Sequence, residues 1–135
     1  MDQRSESAVC DGHVEVIDPA AWDELQQILG SEADSVLREL IDAYLEDTMR
    51  LVSAIVIANQ CQDTQAMITA AHALRSPSAS LGALRLASLS GQVEEGLRSD
   101  PPQWPQNMVD QMLIKAGQTR EALRGRRPVD SLMVI

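Results

Sequence analysis

Aromatic residues are scarce in this chain, whose 135 residues include no Phe, one Tyr and two Trp. Hydrophobic residues nevertheless make up 44% of the sequence, so the interior must consist of Leu, Ile, Val, Ala and Met. Aliphatic side chains of this kind pack readily between helices, and the segments rich in Ala, Leu, Gln and Glu favour helix formation. The chain is long enough to bury a core without disulfides or a metal, which predicts a single helical domain.

Positive charge is also scarce, since 11 Lys and Arg stand against 20 Asp and Glu, for a net charge of −9. This balance excludes nucleic acid as a partner, because phosphates demand a basic surface, and it argues equally against an anionic membrane surface. No apolar run has the length needed to span a bilayer, and the polar, acidic N-terminus does not resemble a secretory signal. We therefore expect a cytoplasmic protein that binds neither nucleic acid nor membrane.

Cysteine occurs only twice, at Cys10 and Cys61. The two residues are far apart and form no C-x-x-C pair, so they are interpreted as reduced thiols. This interpretation agrees with the cytoplasmic placement.

Apolar residues recur at helical spacing in five successive segments, which predicts five helices. Asp18 and Pro19 mark the first as N-cap and first helical residue, and Gly30 ends it. The segment from Ser31 to Asp34 resembles a capping box. It would open a long second helix that ends near Asn59.

Three more helices follow at short connections. The third begins at Gln62 or Asp63, the fourth contains the apolar positions between Leu86 and Leu97, and the last extends from Pro105 to the break at 125–128. Short connections place consecutive helices antiparallel to one another. The predicted fold is an all-α, antiparallel up-down four-helix bundle with a short extra N-terminal helix.

The predicted bundle covers residues 17–125. Residues 1–16 are polar and show no period, so they are predicted to form a flexible N-terminal arm. Residues 126–135 form a C-terminal tail, in which the apolar segment 132–135 is either a minor docking segment or without a role.

His72, one of two histidines in the chain, is the main candidate for chemistry. At roughly 100° per residue, the core-facing positions of the third helix fall within about 80° of one another, and His72 lies about 150° from their centre. The imidazole is therefore predicted to face solvent. The core-facing positions are Met67, Ala70, Ala71, Leu74 and Ser78. The positions around His72 are Gln65, Ile68, Thr69, Arg75, Ser76 and Ala79.

Arg75 lies one turn after His72 and has two conceivable uses. Its charge favours the neutral, nucleophilic imidazole, and its guanidinium is suited to pair with a phosphoryl group on the ring. No Asp or Glu lies within one turn of His72 on this helix, so neither a general base nor a second metal ligand is evident. From the residues alone, a solvent-facing histidine without a role remains the default interpretation. The other histidine, His13, has no evident partner.

Residues 71–86 read A-H-A-L-R-S-P-S-A-S-L-G-A-L-R-L. This run resembles the signature of histidine-containing phosphotransfer (Hpt) domains, A-H-x-L-K-G-S-S-x-x-L-G-A-x-x-L. Glu94 or Glu95 also suits the acidic end of the helix that follows the signature. The resemblance covers roughly residues 17–125, and its specific part lies between residues 70 and 95.

The resemblance implies that His72 is a phosphoacceptor, with Arg75 as its charge partner and Ser76 beside it. Gly82 would allow a turn or close packing between the third and fourth helices. Hpt domains lack kinase activity and carry a phosphoryl group between receiver-domain aspartates of two-component phosphorelays. The implied protein is therefore a phosphoryl carrier, not an enzyme, without a cofactor or metal of its own.

The implied partners are response-regulator receiver domains and a hybrid histidine kinase, and the chain would act as a monomer. Docking would use the third helix together with an adjoining helix, the long second one being the first choice. The docking positions predicted on the third helix are Gln65, Ile68, Thr69 and Ala79.

Three positions depart from the signature. Arg75 replaces lysine, Ser76 replaces glycine, and Pro77 replaces serine. Because Pro77 lacks an N–H and disfavours helical geometry at the residue before it, we expect a kink or an early end of the third helix there.

These departures motivate one alternative, an Hpt-like module that binds a receiver or kinase without phosphotransfer. A second alternative is a dimerising kinase domain, whose histidine is typically followed by an acidic residue. Ala73 follows His72 here, and the chain has no nucleotide-binding glycine motif.

Overall fold

The structure, a computed structural model, describes residues 16–129, and over this range the chain forms five α-helices. They are α1 (Pro19–Leu29), α2 (Ala33–Cys61), α3 (Thr64–Ser80), α4 (Leu84–Arg98) and α5 (Gln106–Arg126), with a 3-10 turn at Gly30–Glu32. Helices α2 to α5 each pack against the next, α5 also packs against α2, and α1 lies on α2. The predicted all-α, up-down four-helix bundle with an extra N-terminal helix is confirmed.

Two aspartates begin helices as the sequence predicts. The Asp18 side chain accepts a hydrogen bond from the N–H of Ala21 at 2.9 Å, with Pro19 as the first helical residue. The Asp63 side chain accepts one from the N–H of Ala66 at 3.1 Å. Each cap satisfies a backbone donor that the first turn of a helix leaves unpaired, and is worth about 1 kcal/mol.

The predicted capping box at Ser31 is wrong. The chain leaves α1 through Gly30 and enters the 3-10 turn at once, so Ser31 is itself helical. An N-cap residue requires an extended backbone, and the residue before α2, Glu32, provides no side-chain cap.

The core is aliphatic, and the arc predicted for α3 forms part of it. Met67, Ala70, Ala71 and Leu74 are all buried, and they meet the apolar positions of α4 at the centre of the bundle. Ser78 is buried in the same arc, and its hydroxyl lies 2.8 Å from the Tyr44 hydroxyl in a hydrogen bond between α3 and α2. Among the helices of residues 16–129, none has both the length and the apolar character that crossing a bilayer requires.

Of the kink or early end expected for α3 at Pro77, the early end is wrong, since the helix continues to Ser80. Pro77 lies in the last turn, where its missing N–H affects only the carbonyl of Ala73, an exposed residue. Backbone hydrogen bonds beyond it hold the turn in place, including one from the N–H of Ala83 to the carbonyl of Ser78 at 2.8 Å.

The predicted boundaries of the bundle can be compared only within the described residues. The arm predicted for residues 1–16 lies outside them except for Val16, and so does the tail from residue 130 onward. Ile17 is buried. Arg126, assigned to the tail, is instead the last residue of α5, and its guanidinium lies 5.5 Å from the centre of the Trp22 ring.

Gly82 lies in the turn between α3 and α4 and has a φ of +87°. Its carbonyl accepts a hydrogen bond from the N–H of Asp18 at 2.8 Å. A Cβ at this position would lie 3.1 Å from Cγ2 of Ile17. The left-handed backbone and the close approach of the N-terminal segment both favour glycine here.

We expect Gly82→Ala to lower the free energy of unfolding by about 1–3 kcal/mol, because alanine is strained at this φ and its methyl group meets Ile17. Urea denaturation followed by circular dichroism measures the change. Gly117→Ala is the control, since it lies in α5 with nothing within 4 Å of an added Cβ. Equal stability of Gly82→Ala and the unmodified protein would contradict the expectation.

Candidate functional site

His72 lies on the exposed side of α3, opposite the core positions of that helix. Its side chain is 65% exposed, as its predicted orientation requires. The ring is nevertheless held in place, because Nδ1 lies 2.9 Å from Oε2 of Glu94 on α4. The contact joins residues 22 positions apart, so it depends on the packing of α3 against α4.

Glu94 is the centre of the cluster and is the most buried of its ionisable residues, with only 9% of its side chain exposed. Besides the bond from His72 to Oε2, the carboxylate accepts a hydrogen bond at Oε1 from Nη1 of Arg75 on α3, at 3.2 Å. Oε2 accepts another from Nε of Arg98 at 3.0 Å, one turn further along α4. One carboxylate therefore fixes an imidazole and two guanidinium groups.

The hydrogen bonds keep the Glu94 carboxyl ionised. Burial by itself raises the pKa of Glu94, but the hydrogen bonds from Arg98, Arg75 and His72 outweigh it, and the pKa lies below its ordinary value. Hydrogen bonding to the charged form of a carboxyl lowers its pKa in this way.

An ionised carboxylate can only accept hydrogen bonds. In the bond between His72 and Glu94, the proton therefore belongs to Nδ1 of the imidazole. In the neutral ring, Nε2 is then the nitrogen with a free lone pair. The arrangement thus provides an exposed nitrogen nucleophile with a carboxylate behind it.

Small side chains surround the exposed ring. Ala73, Ser76 and Ala79 are exposed on α3. Beside them, Arg75 and Arg98 border an open groove of about 390 Å³ along α4. A protein surface can therefore approach His72 closely, and two cations lie next to it.

A metal site is not evident in the same region. Within residues 16–129, no three His, Cys, Asp or Glu side chains come together in a way that could hold a metal ion. The cluster around Glu94 has one carboxylate and one imidazole, and its other members are cations.

The model of the Hpt domain family matches residues 39–123 of this chain. The chain belongs to the Hpt domain family. Hpt domains are phosphocarriers rather than kinases, and they interact with receiver domains and histidine kinases.

The fold is also similar to a solved structure, that of histidine-containing phosphotransfer protein B (HptB) from Pseudomonas aeruginosa PAO1. The TM-score is 0.69 at 24% sequence identity, and the match covers 83% of this chain and 94% of the other. Among curated proteins, none matches the sequence significantly.

In this Hpt domain, the residues predicted to surround His72 do not all reach the surface. Gln65, Thr69, Ser76 and Ala79 are exposed. Ile68 is only 5% exposed and belongs to the core, so its prediction as a docking residue is wrong. It lies about 40° from His72 on the side of Arg75, which is the side that α4 covers.

Reasoning from the sequence missed two members of the cluster. Glu94 matched the acidic end of the signature, as did Glu95, but it was not assigned to His72, because a contact between helices leaves no trace in local spacing. Arg98 was not singled out at all. Its spacing of four residues from Glu94 is typical of a helical ion pair and was a usable signal.

The lowered pKa of Glu94 predicts how stability depends on pH. Since the unfolded chain binds the proton more readily, the contribution of Glu94 is complete above its ordinary value of about 4.5 and is lost as the pH falls through the lower folded value. Glu94→Gln should cost about 1 kcal/mol at pH 7 and make stability less sensitive to acid. Urea unfolding between pH 7 and 3 measures both.

The matched control is Glu95→Gln, which removes one carboxylate from the exposed neighbouring position. It should leave the acid sensitivity of the protein intact. If Glu94→Gln and Glu95→Gln changed the pH dependence equally, the cluster would not be responsible for it.

Proposed function

We propose that His72 accepts a phosphoryl group on Nε2 from the aspartyl phosphate of a receiver domain and passes it to an aspartate of another receiver. The hydrogen bond from Nδ1 to Glu94 carries this proposal. It leaves the lone pair on the other ring nitrogen, and the ring is exposed enough for a partner to reach it.

The transfer is an in-line displacement at phosphorus. The Nε2 lone pair forms the N–P bond while the bond from phosphorus to the aspartate oxygen breaks, and the aspartate leaves as a carboxylate. A neutral imidazole that forms this bond acquires a positive charge. Glu94 lies against the opposite ring nitrogen, where its negative charge stabilises that imidazolium. The return step reverses these bonds toward a second aspartate.

Arg75 and Arg98 provide positive charge beside the transferred group. Both are about half exposed and bond to the same carboxylate that holds the ring. Guanidinium groups are suited to phosphoryl oxygens, with which they form charge-assisted hydrogen bonds. Ser76, exposed one turn after His72, adds a hydroxyl on the same face of α3.

Receiver docking would use the exposed positions around His72 together with α2. The positions on α3 are Gln65, Thr69 and Ala79, whose side chains leave the ring accessible. The metal ion and lysine that assist transfer are expected from the receiver. One copy of the chain contains the whole Glu94 cluster, so the reaction needs only a monomer.

The alternative of binding without phosphotransfer was motivated by Ser76 and Pro77. Neither residue disturbs the arrangement at His72. Ser76 is exposed, and α3 continues through Pro77 while the His72–Glu94 bond is made at 2.9 Å. The geometry therefore favours the phosphoryl carrier.

Incubation with a phosphorylated receiver domain should transfer acid-labile label to the protein, and His72→Gln should abolish the labelling. His13→Gln is the matched control, because it removes the other histidine of the chain, and it should be labelled normally. Label that persists in His72→Gln would refute the assignment. A chain that binds the receiver but is never labelled would support the binding module instead.

Glu94→Gln should slow label uptake roughly 10- to 100-fold, because a neutral amide no longer stabilises the imidazolium that forms when the N–P bond is made. Glutamine can still accept the Nδ1 proton, so the variant tests the negative charge rather than the bond. Rapid-mixing kinetics with a phosphorylated receiver measure the rate. Glu95→Gln should transfer at the normal rate, and an equal loss in both variants would contradict the role of Glu94.

A further inference from the structure

Gly91 lies on α4 directly beneath the side chain of Arg75. A Cβ at position 91 would lie 3.3 Å from Nε of Arg75, 3.5 Å from Cζ and 3.6 Å from Cδ. The guanidinium therefore crosses from α3 to α4 over a position that lacks a side chain. Gly91 precedes Glu94 by one turn, so it lies on the path that Arg75 takes to the carboxylate.

We propose that Gly91 is a positioning residue for the phosphotransfer centre, because its missing side chain leaves the space in which Arg75 lies against α4 and bonds to Glu94. The proposal rests on the proposed function of His72 for its effect on transfer. The effect of Gly91 on the position of the Arg75 side chain does not depend on that function, and it can be measured in the unphosphorylated protein.

Arg75 depends on this surface more than Arg98 does. Arg98 is on the same helix as Glu94 and reaches it along one turn. Arg75 must span two helices, is 51% exposed, and makes its hydrogen bond at 3.2 Å. A long exposed side chain loses conformational freedom when it is fixed, so its single bond needs the support of close packing. The space left by the missing Cβ of Gly91 lets the Arg75 side chain lie close to α4 and so provides that packing.

An alanine at position 91 would place its methyl carbon 3.3 Å from Nε of Arg75, slightly inside ordinary van der Waals contact. The backbone of α4 is fixed by the core positions Leu89 and Val93 on either side, whereas the arginine side chain is flexible. The guanidinium would therefore move away from α4 by a few tenths of an ångström, which stretches its hydrogen bond to Glu94, already 3.2 Å long, to the limit of hydrogen bonding. His72 and Arg98 would keep their own bonds to the carboxylate.

The fold itself does not require glycine at this position. Gly91 has an ordinary helical backbone, since the positive-φ glycines of the described chain are Gly30 and Gly82. Alanine is the better helix former. Gly91→Ala should therefore leave the protein folded while it impairs the site, because the helix propensity of alanine offsets the weakened bond to Glu94.

The experiment compares Gly91→Ala with Gly117→Ala, a helical glycine of α5 that has open space around it. Gly117→Ala should raise the melting temperature, and Gly91→Ala should leave it close to that of the unmodified protein. In the unphosphorylated protein, NMR should show a displaced Arg75 Nε–H signal and a higher Glu94 carboxyl pKa in Gly91→Ala alone. The same variant should accept label roughly 2- to 10-fold more slowly, the effect of losing one hydrogen bond.

A double-variant cycle establishes whether Gly91 acts through Arg75. Arg75→Gln should slow uptake by itself, and adding Gly91→Ala to it should have no further effect. Full additivity, or an Arg75 signal and Glu94 pKa in Gly91→Ala equal to those in Gly117→Ala, would overturn the proposal. If the unmodified protein accepted no label, the phosphotransfer function would fail, and the NMR comparison would still decide the role of Gly91.

Discussion

The site depends on one carboxylate that three donors share. Glu94 projects from α4 toward α3 and is nearly buried, so it requires compensation for its lost hydration. His72, Arg75 and Arg98 provide that compensation, and each is oriented by providing it. The same bonds that make a buried charge tolerable therefore select the imidazole tautomer. In this part of the molecule, the hydrogen bonds that stabilise the fold also hold His72 in the tautomer that can react.

The Hpt signature itself contributes mainly to packing. Of its matched positions, those that are nearly or fully buried are Ala71, Leu74, Ser78, Leu81, Gly82, Ala83 and Leu86. These residues determine how closely α3 and α4 approach each other, and hence whether a side chain 22 positions beyond His72 can reach its ring. The signature can be recognised in a sequence because it specifies how two consecutive helices pack against each other. The carboxylate that completes the site, Glu94, lies outside the signature.

The periodicity of apolar residues predicted the five helices and most of the core, because both follow from which side chains of a helix face the interior of the bundle. It could not distinguish Glu94 from Glu95, which differ by 100° around α4 and therefore in whether they face α3. Ile68 was misplaced for a related reason, since an angle measured around α3 does not show how far a neighbouring helix covers it. At Pro77 the expected early end of α3 did not occur, because backbone hydrogen bonds beyond the proline hold the last turn in place.

The exposure of His72 has a consequence for the phosphoryl group that the proposed function places on its ring. A ring open to an approaching aspartate is equally open to water, and the small side chains around it cannot form a lid. Hydrolysis would therefore compete with delivery throughout the life of the phosphohistidine. Retention of the phosphoryl group would depend on how the neighbouring charges alter the reactivity of the N–P bond, and not on shielding from water. Such a carrier works best when the second receiver takes the phosphoryl group soon after the first has donated it.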